Sequence, residues 1–223
     1  GSEPAREQPP VTLADGRKFW SFQKPKDHPL PPTRAKDWAR RDLDHFVLAQ
    51  LERKELTPAP DARAATLLRR LHFDLVGLPP APGNQATFLK RIKAGGLDQA
   101  LAKEVETLLA SDRYGERWAR HWMDVARFAE SSGKESNITY PHAWRYRDYA
   151  IDVFNEDLPF DRFVTEQIAG DLLPYKNDAE RARLLIATGF LAFGAKGLNE
   201  MNKFQFLVDQ VDEQIDTVTR AFM

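Results

Sequence analysis

The sequence predicts an all-α fold, an irregular multi-helix bundle of about eight or nine helices with an extended N-terminal arm. Three observations predict it. Apolar residues return at steps of three and four in one segment after another, the period of a helix with one buried face. No convincing run of residues alternates apolar and polar side chains as a strand does. Proline and glycine fall between the periodic segments, where they end helices.

Residues 3–36 contain Pro9-Pro10, Pro25, Pro29 and Pro31-Pro32, which oppose helix. They read as an extended arm whose Phe19, Trp20 and Phe22 are expected to pack onto the domain. Gly1-Ser2 resembles the scar of a cleaved tag. Residues 1–18 are therefore assigned to scar and linker, and 19–223 to a single helical domain. The first helix is expected over Asp37–Leu56, with Leu43, Phe46, Val47 and Leu51 on its apolar side. Asp61 is the expected N-cap of a second helix running to Leu75, and Gly77-Leu78-Pro79-Pro80 stops it. Shorter helices follow around Gln85–Ala94 and Leu97–Ala110, and Ser111 or Asp112 caps the next one.

That next segment, Tyr114–Glu130, reads as one long central helix. Trp118, Trp122, Val125 and Ala129 share a face, and large aromatics there bury much area. Glu116, Arg120, Asp124 and Arg127 form a charged row beside it, with opposite signs as helix neighbours. Ser131–Tyr140 is a polar loop. Helices are then expected over Trp144–Phe154 and Phe160–Leu172. Asn177 with Glu180 resembles a capping box, opening a helix through Leu184–Ile186. In the last segment Phe204, Val208, Val211, Ile215, Val218 and Phe222 alternate steps of four and three, the spacing of a coiled-coil seam. This pattern is still running at Phe222-Met223, so the domain is expected to be truncated there and to belong to a longer protein.

The 223 residues are 42% hydrophobic and 29% charged, enough to build a substantial core. With 32 basic against 33 acidic residues the net charge is -1, which gives no electrostatic footprint for nucleic acid. The absence of cysteine excludes disulfides, thiolate metal sites, cysteine nucleophiles and thioether-linked haem within these residues. The longest apolar stretch, Leu184–Ala195, is shorter than the roughly 20 residues a membrane span needs.

The candidate site is a cleft or ion-pair network drawn from Arg117, Arg120, His121, Asp124, Arg127, Trp144, Asp212 and Asp216. His121 and Asp124 are three apart and can share a proton or a ligand; the plainer reading is a hydrogen-bonded histidine in a packed interface. No metal site is expected, because HExxH, ExxH and CxxC spacings are missing. Asp209, Asp212, Glu213 and Asp216 lack the loop of a calcium-binding EF-hand and are expected to pair with arginines of the central helix. Asp212 lies nearest the seam, so it is the acid expected to be buried against such an arginine, with Glu213 exposed. Trp144 falls off the apolar stripe of its helix, in a stretch of aromatics and arginines able to stack a flat ring. No nucleophile elbow, phosphate loop or dinucleotide fingerprint is present.

Five stretches carry a resemblance: LLRRLHFDLVGLPP (67–80), YGERWARHWMDVARFAES (114–131), AWRYRDYAIDVFNEDLPFDRFVTEQIAGDLLP (143–174), ATGFLAFG (187–194) and DQVDEQIDTVTRAF (209–222). In this order they resemble the planctomycete cytochrome-c-associated domain of unknown function, DUF1549 or PSCyt2-like. The resemblance implies a domain inside a large exported protein, with cytochrome-like modules of the same polypeptide as partners and a periplasmic or otherwise extracytoplasmic location. It implies haem c just downstream in the full-length protein and no cofactor in this fragment. It supplies no catalytic residues. The expected role is a helical scaffold or haem-covering module, with an electron-transfer setting. The alternatives are an enzyme domain acting on carbohydrate, with His121, Asp124 and Asp212 lining a cleft, and a protein–protein interaction module.

Overall fold

The computed structural model describes residues 12–35, 37–133 and 137–223. Pro9-Pro10 and the first residues of the arm lie outside the described residues. Ten α-helices stand among the described residues, nine of them at least ten residues long, together with short 3-10 turns. The one extended pairing there is an isolated bridge between Ser131 and Thr139. The chain divides into two compact units, residues 1–61 and 62–223.

The first unit contains α1 (Leu13–Gly16), a 3-10 turn at Trp20–Phe22 and α2 (Asp42–Arg53). The aromatic arm does not behave as expected. Phe19, Trp20 and Phe22 are exposed, and the Phe19 ring instead meets those of Trp20 and Phe22, with centroids 6.0 and 6.4 Å away. α2 starts five residues later than expected because Asp44 fixes its first turn, accepting from the backbone N–H groups of Arg40 and Arg41 at 2.9 Å each. Glu52 near the other end accepts from the N–H groups of Arg34 and Ala35, at 2.8 and 3.0 Å, and so ties the extended segment to the helix. These backbone bonds hold both carboxyls below their usual range. Asp61 is not a cap; it accepts from Arg40 at 3.1 Å, and Arg63 takes the N-cap position of the next helix. Leu43 and Val47 of the expected apolar side are exposed, and Leu48 is the buried residue of α2.

The second unit holds α3 (Ala64–Val76), α4 (Asn84–Gly95), α5 (Leu97–Leu109), α6 (Asp112–Val125), α7 (Trp144–Asn155), α8 (Phe160–Ala169), α9 (Asp178–Ala187) and α10 (Lys203–Phe222). Gly77 closes α3 in the left-handed region, as its position promised. Leu68, Phe88 and Ala100 form a small core among α3, α4 and α5. The larger core gathers Tyr146, Tyr149 and Val153 of α7, Phe163 of α8, Ala187 of α9, and Phe190 and Phe193 beyond it. α6 packs on α7, α3, α5 and α10, and Trp122 is its main aromatic contribution. The Trp122 ring meets Phe163 edge-on at 4.7 Å and stacks on Phe190 at 5.5 Å, and its indole N–H donates to the Tyr146 hydroxyl at 2.9 Å.

The central helix is shorter than its periodicity suggests. It ends at Val125, and Arg127 takes φ 54, in the left-handed region. The Phe128 N–H donates to Met123 O at 2.9 Å and the Arg127 N–H to Asp124 O at 3.2 Å, the paired bonds of a Schellman cap. Arginine thus occupies a position that glycine usually marks. Ala129 is therefore off the helix and exposed. The chain terminates α2 and α7 the same way, with Glu55 and Asp157 at positive φ.

Candidate functional site

Two clusters of charge organise the second unit, one between α6 and α10 and one among α7, α8 and α9. The first begins with the Arg127 cap. A left-handed backbone costs a non-glycine residue roughly 1–2 kcal/mol, and here it aims the side chain at α10. Its guanidinium donates to the Glu213 carboxylate at 2.6 Å, to the Glu213 carbonyl at 2.6 Å, to Asp216 at 3.3 Å and to the Thr217 hydroxyl. Gly194, at φ 105, backs this contact; a Cβ there would stand 3.1 Å from Glu213 Oε2. A side chain at Gly194 would thus crowd the carboxylate as well as strain the backbone.

This clasp reverses the expected orientation of α10. Phe206, Gln210, Glu213, Thr217 and Ala221, at steps of four, three, four and four, are the part-buried or buried row. The apolar seam faces outward over most of its length: Phe204 is 75% exposed, Val211 52% and Ile215 55%. The seam is covered only at its end, where Val218 and Phe222 join the main core. Asp212 consequently lies exposed, and Glu213, expected outside, is the acid that Arg127 grips. The physical reason is the direction of Arg127: three donated bonds to this row, and a fourth to Asp216 beside it, fix the rotation of the helix.

The remaining residues of the proposed network do not converge. Arg120 and Asp124 pair with each other on the exposed side of α6. His121 is exposed and its ring lies 5.6 Å from that of Trp118. Arg117 packs against Gly77, and its Nε is buried without a hydrogen bond. Asp216 joins the clasp and also accepts from Arg220 at 2.8 Å. Trp144 is in a different place altogether, on α7.

The second cluster centres on Glu166 of α8, whose side chain is 1% exposed. Its carboxylate accepts from Arg162 at 2.8 Å, Arg183 at 3.0 Å and the Tyr149 hydroxyl at 2.9 Å. Arg183 also lies over the Tyr149 ring at 5.3 Å. Burial, reinforced by the Glu166 charge, pushes the Tyr149 phenol well above its usual value; burial does the same to Tyr146, which donates to Gln167 at 2.7 Å. Outside this cluster runs a groove of about 390 Å³ between α7 and α9. Trp144, Asp148, Asp152 and Glu156, each four residues apart, form one wall, and Arg183 stands on the other. Asp148 accepts from Arg147 at 2.9 Å and Glu156 lies 3.8 Å from Arg183.

A smaller group joins the small core: Glu104, buried, contacts His72 Nε2 at 3.0 Å and accepts from Arg91 at 2.6 Å. Sequence reasoning missed Glu166, Glu104 and His72. For His72 and Glu104 the signal was present. Leu68, His72 and Val76, and likewise Ala100, Glu104 and Leu108, are rows of step four in which one polar residue interrupts apolar ones. Such a residue needs a buried partner.

The arrangement defines an all-helical domain whose charged side chains stitch helices together. Among the described residues no helix is long and apolar enough to cross a membrane, and no three histidine, aspartate or glutamate side chains gather as metal ligands. The chain belongs to the family described as PSCyt2, protein of unknown function (DUF1549), whose model matches residues 42–223. No curated protein and no solved structure matches it.

Proposed function

We propose that this domain is a helical, non-catalytic scaffold of an exported multidomain c-type-cytochrome-like protein, and that α10 is the element it offers to a neighbouring module. The observation that carries the reading is the outward seam of α10. Phe204, Val208, Val211 and Ile215 keep coiled-coil spacing while a polar row holds the helix to the domain. A contiguous apolar stripe of this kind marks an interaction surface. Asp212 lies exposed beside it, so the occupant is an amphipathic helix with a basic flanking residue, contributed by another domain of the same polypeptide. The charged residues are engaged in closing α6 on α10 and α7 on α8 and α9, which suits a rigid support. The test is the natural polypeptide that carries this domain, exported and purified. A covalent-haem absorption spectrum and slower amide exchange over residues 204–215 than in the present chain are expected. A colourless product with unchanged exchange contradicts the reading.

The α7–α9 groove favours a second reading, a carbohydrate-handling site, because an exposed tryptophan and three carboxylates line it together. A soluble oligosaccharide that bound the domain saturably, and no longer bound after Trp144→Ala, would establish it. His121, Asp124 and Asp212 take no part in that groove.

A further inference from the structure

A second pocket, of about 330 Å³, lies between the start of α7 and the segment after α9, and has no carboxylate in its wall. His142, Arg145 and Lys196 supply its polar side, and the rings of Tyr140, Tyr146 and Phe193 its apolar side. From Arg145 and Lys196, two cations without an acid partner among the described residues and beside aromatic walls, we propose that the pocket binds a small aromatic anion, a carboxylate or phosphate carried on a flat apolar ring.

Four features of the site support this assignment. Among the described residues, neither Arg145 nor Lys196 pairs with an acid: the Arg145 guanidinium lies over Trp144 at 5.6 Å, and the Lys196 ammonium donates to the Ala192 carbonyl. Burial pushes the Lys196 ammonium below its usual range, because it has lost hydration without gaining a countercharge. The Tyr140 hydroxyl is buried and has no hydrogen-bond partner. Its ring lies 5.9 Å from Lys196 Nζ. An anion entering here restores the solvation of the ammonium, gives the phenol a possible acceptor and lays its ring against Tyr146 and Phe193. A buried donor left unmade is costly, so a ligand that satisfies it gains.

The pocket is also preformed. The Lys196 N–H donates to Ser132 O at 2.9 Å, the Tyr140 N–H to Glu130 O at 2.7 Å and the Ala143 N–H to Tyr140 O at 3.1 Å. Three separate segments are thereby fixed around one opening, which lowers the ordering cost of binding.

The test is calorimetric titration of the chain with phenyl phosphate, benzoate, inorganic phosphate and benzamidine. Saturable one-to-one binding of phenyl phosphate or benzoate is expected, and the tighter of the two identifies the head group. Inorganic phosphate should bind more weakly than phenyl phosphate, and the cationic benzamidine should not bind. Lys196→Gln should weaken the anion about tenfold, the scale of one charge-assisted hydrogen bond, while Lys196→Arg retains it. If Lys196→Gln loses its helical circular dichroism, Arg145→Gln serves instead, with a smaller loss expected. The proposal is overturned if neither aromatic anion binds saturably, if benzamidine binds as well as they do, or if both neutral variants bind like the parent.

Discussion

Glu166 and Glu213 both accept hydrogen bonds from arginine, yet they sit in unlike surroundings. Glu166 is sealed from water and is shared by two arginines and a tyrosine. Glu213 and its partner Arg127 keep about a third of their side-chain surface, 34% and 27%, in solvent. In water an ion pair gains little, because solvent competes for both partners. In a dry core, losing one partner strands the others. The α8 cluster is therefore expected to hold the fold together, and the α10 clasp to set an orientation at modest energy.

The largest effect should follow Glu166→Ala. It leaves the part-exposed Arg162 and Arg183 without their acceptor and the buried Tyr149 hydroxyl unsatisfied, and the three lost bonds should together cost roughly 3–5 kcal/mol in denaturant titration. A loss below about 1 kcal/mol would erase the contrast with Glu213. Trp122→Ala should cost about 3 kcal/mol, the low end for a large aromatic because the ring is only partly buried. Alkali sharpens the same contrast. Tyr149 and Tyr146 hold their protons more tightly folded than unfolded, so their contribution is complete below the ordinary phenol value of 10.0 and declines as pH rises past it. Melting temperature should fall on that limb, and less steeply in Tyr149→Phe; identical profiles would remove the buried phenol from the account. Glu213→Ala should cost about 1 kcal/mol, since its carbonyl contact to Arg127 survives. Asp212→Ala should cost less than about 0.5 kcal/mol. A reversal of these last two values would restore the seam-inward orientation of α10.

Most of the helices were legible because apolar period and stop signals agree. Gly77 and Ser111 are where the pattern puts them. Asn177 likewise accepts from the Glu180 N–H at 2.9 Å, and Glu180 returns a bond to the Lys176 N–H at 2.6 Å. The ends that misled are those capped by Arg127 and Asp44. Neither is glycine or proline, and each is chosen by contacts its side chain makes once folded. The rotation of α10 was illegible for a related reason. Its seam is real as a pattern, but spacing alone does not say whether the partner lies within this unit. The Arg127 contact turns it outward, and a contact across 86 residues leaves no local trace.

The central claim is that α10 is held by its polar row and presents its apolar seam to solvent. The chain has no cysteine, so single thiols report that directly. Val211→Cys, Ile215→Cys and Val218→Cys variants would be labelled with a chromogenic disulfide under native conditions. The account predicts that thiols at 211 and 215 react as fast as in the unfolded chain, and that the one at 218 reacts at least about tenfold slower. Equal protection at all three positions would contradict it.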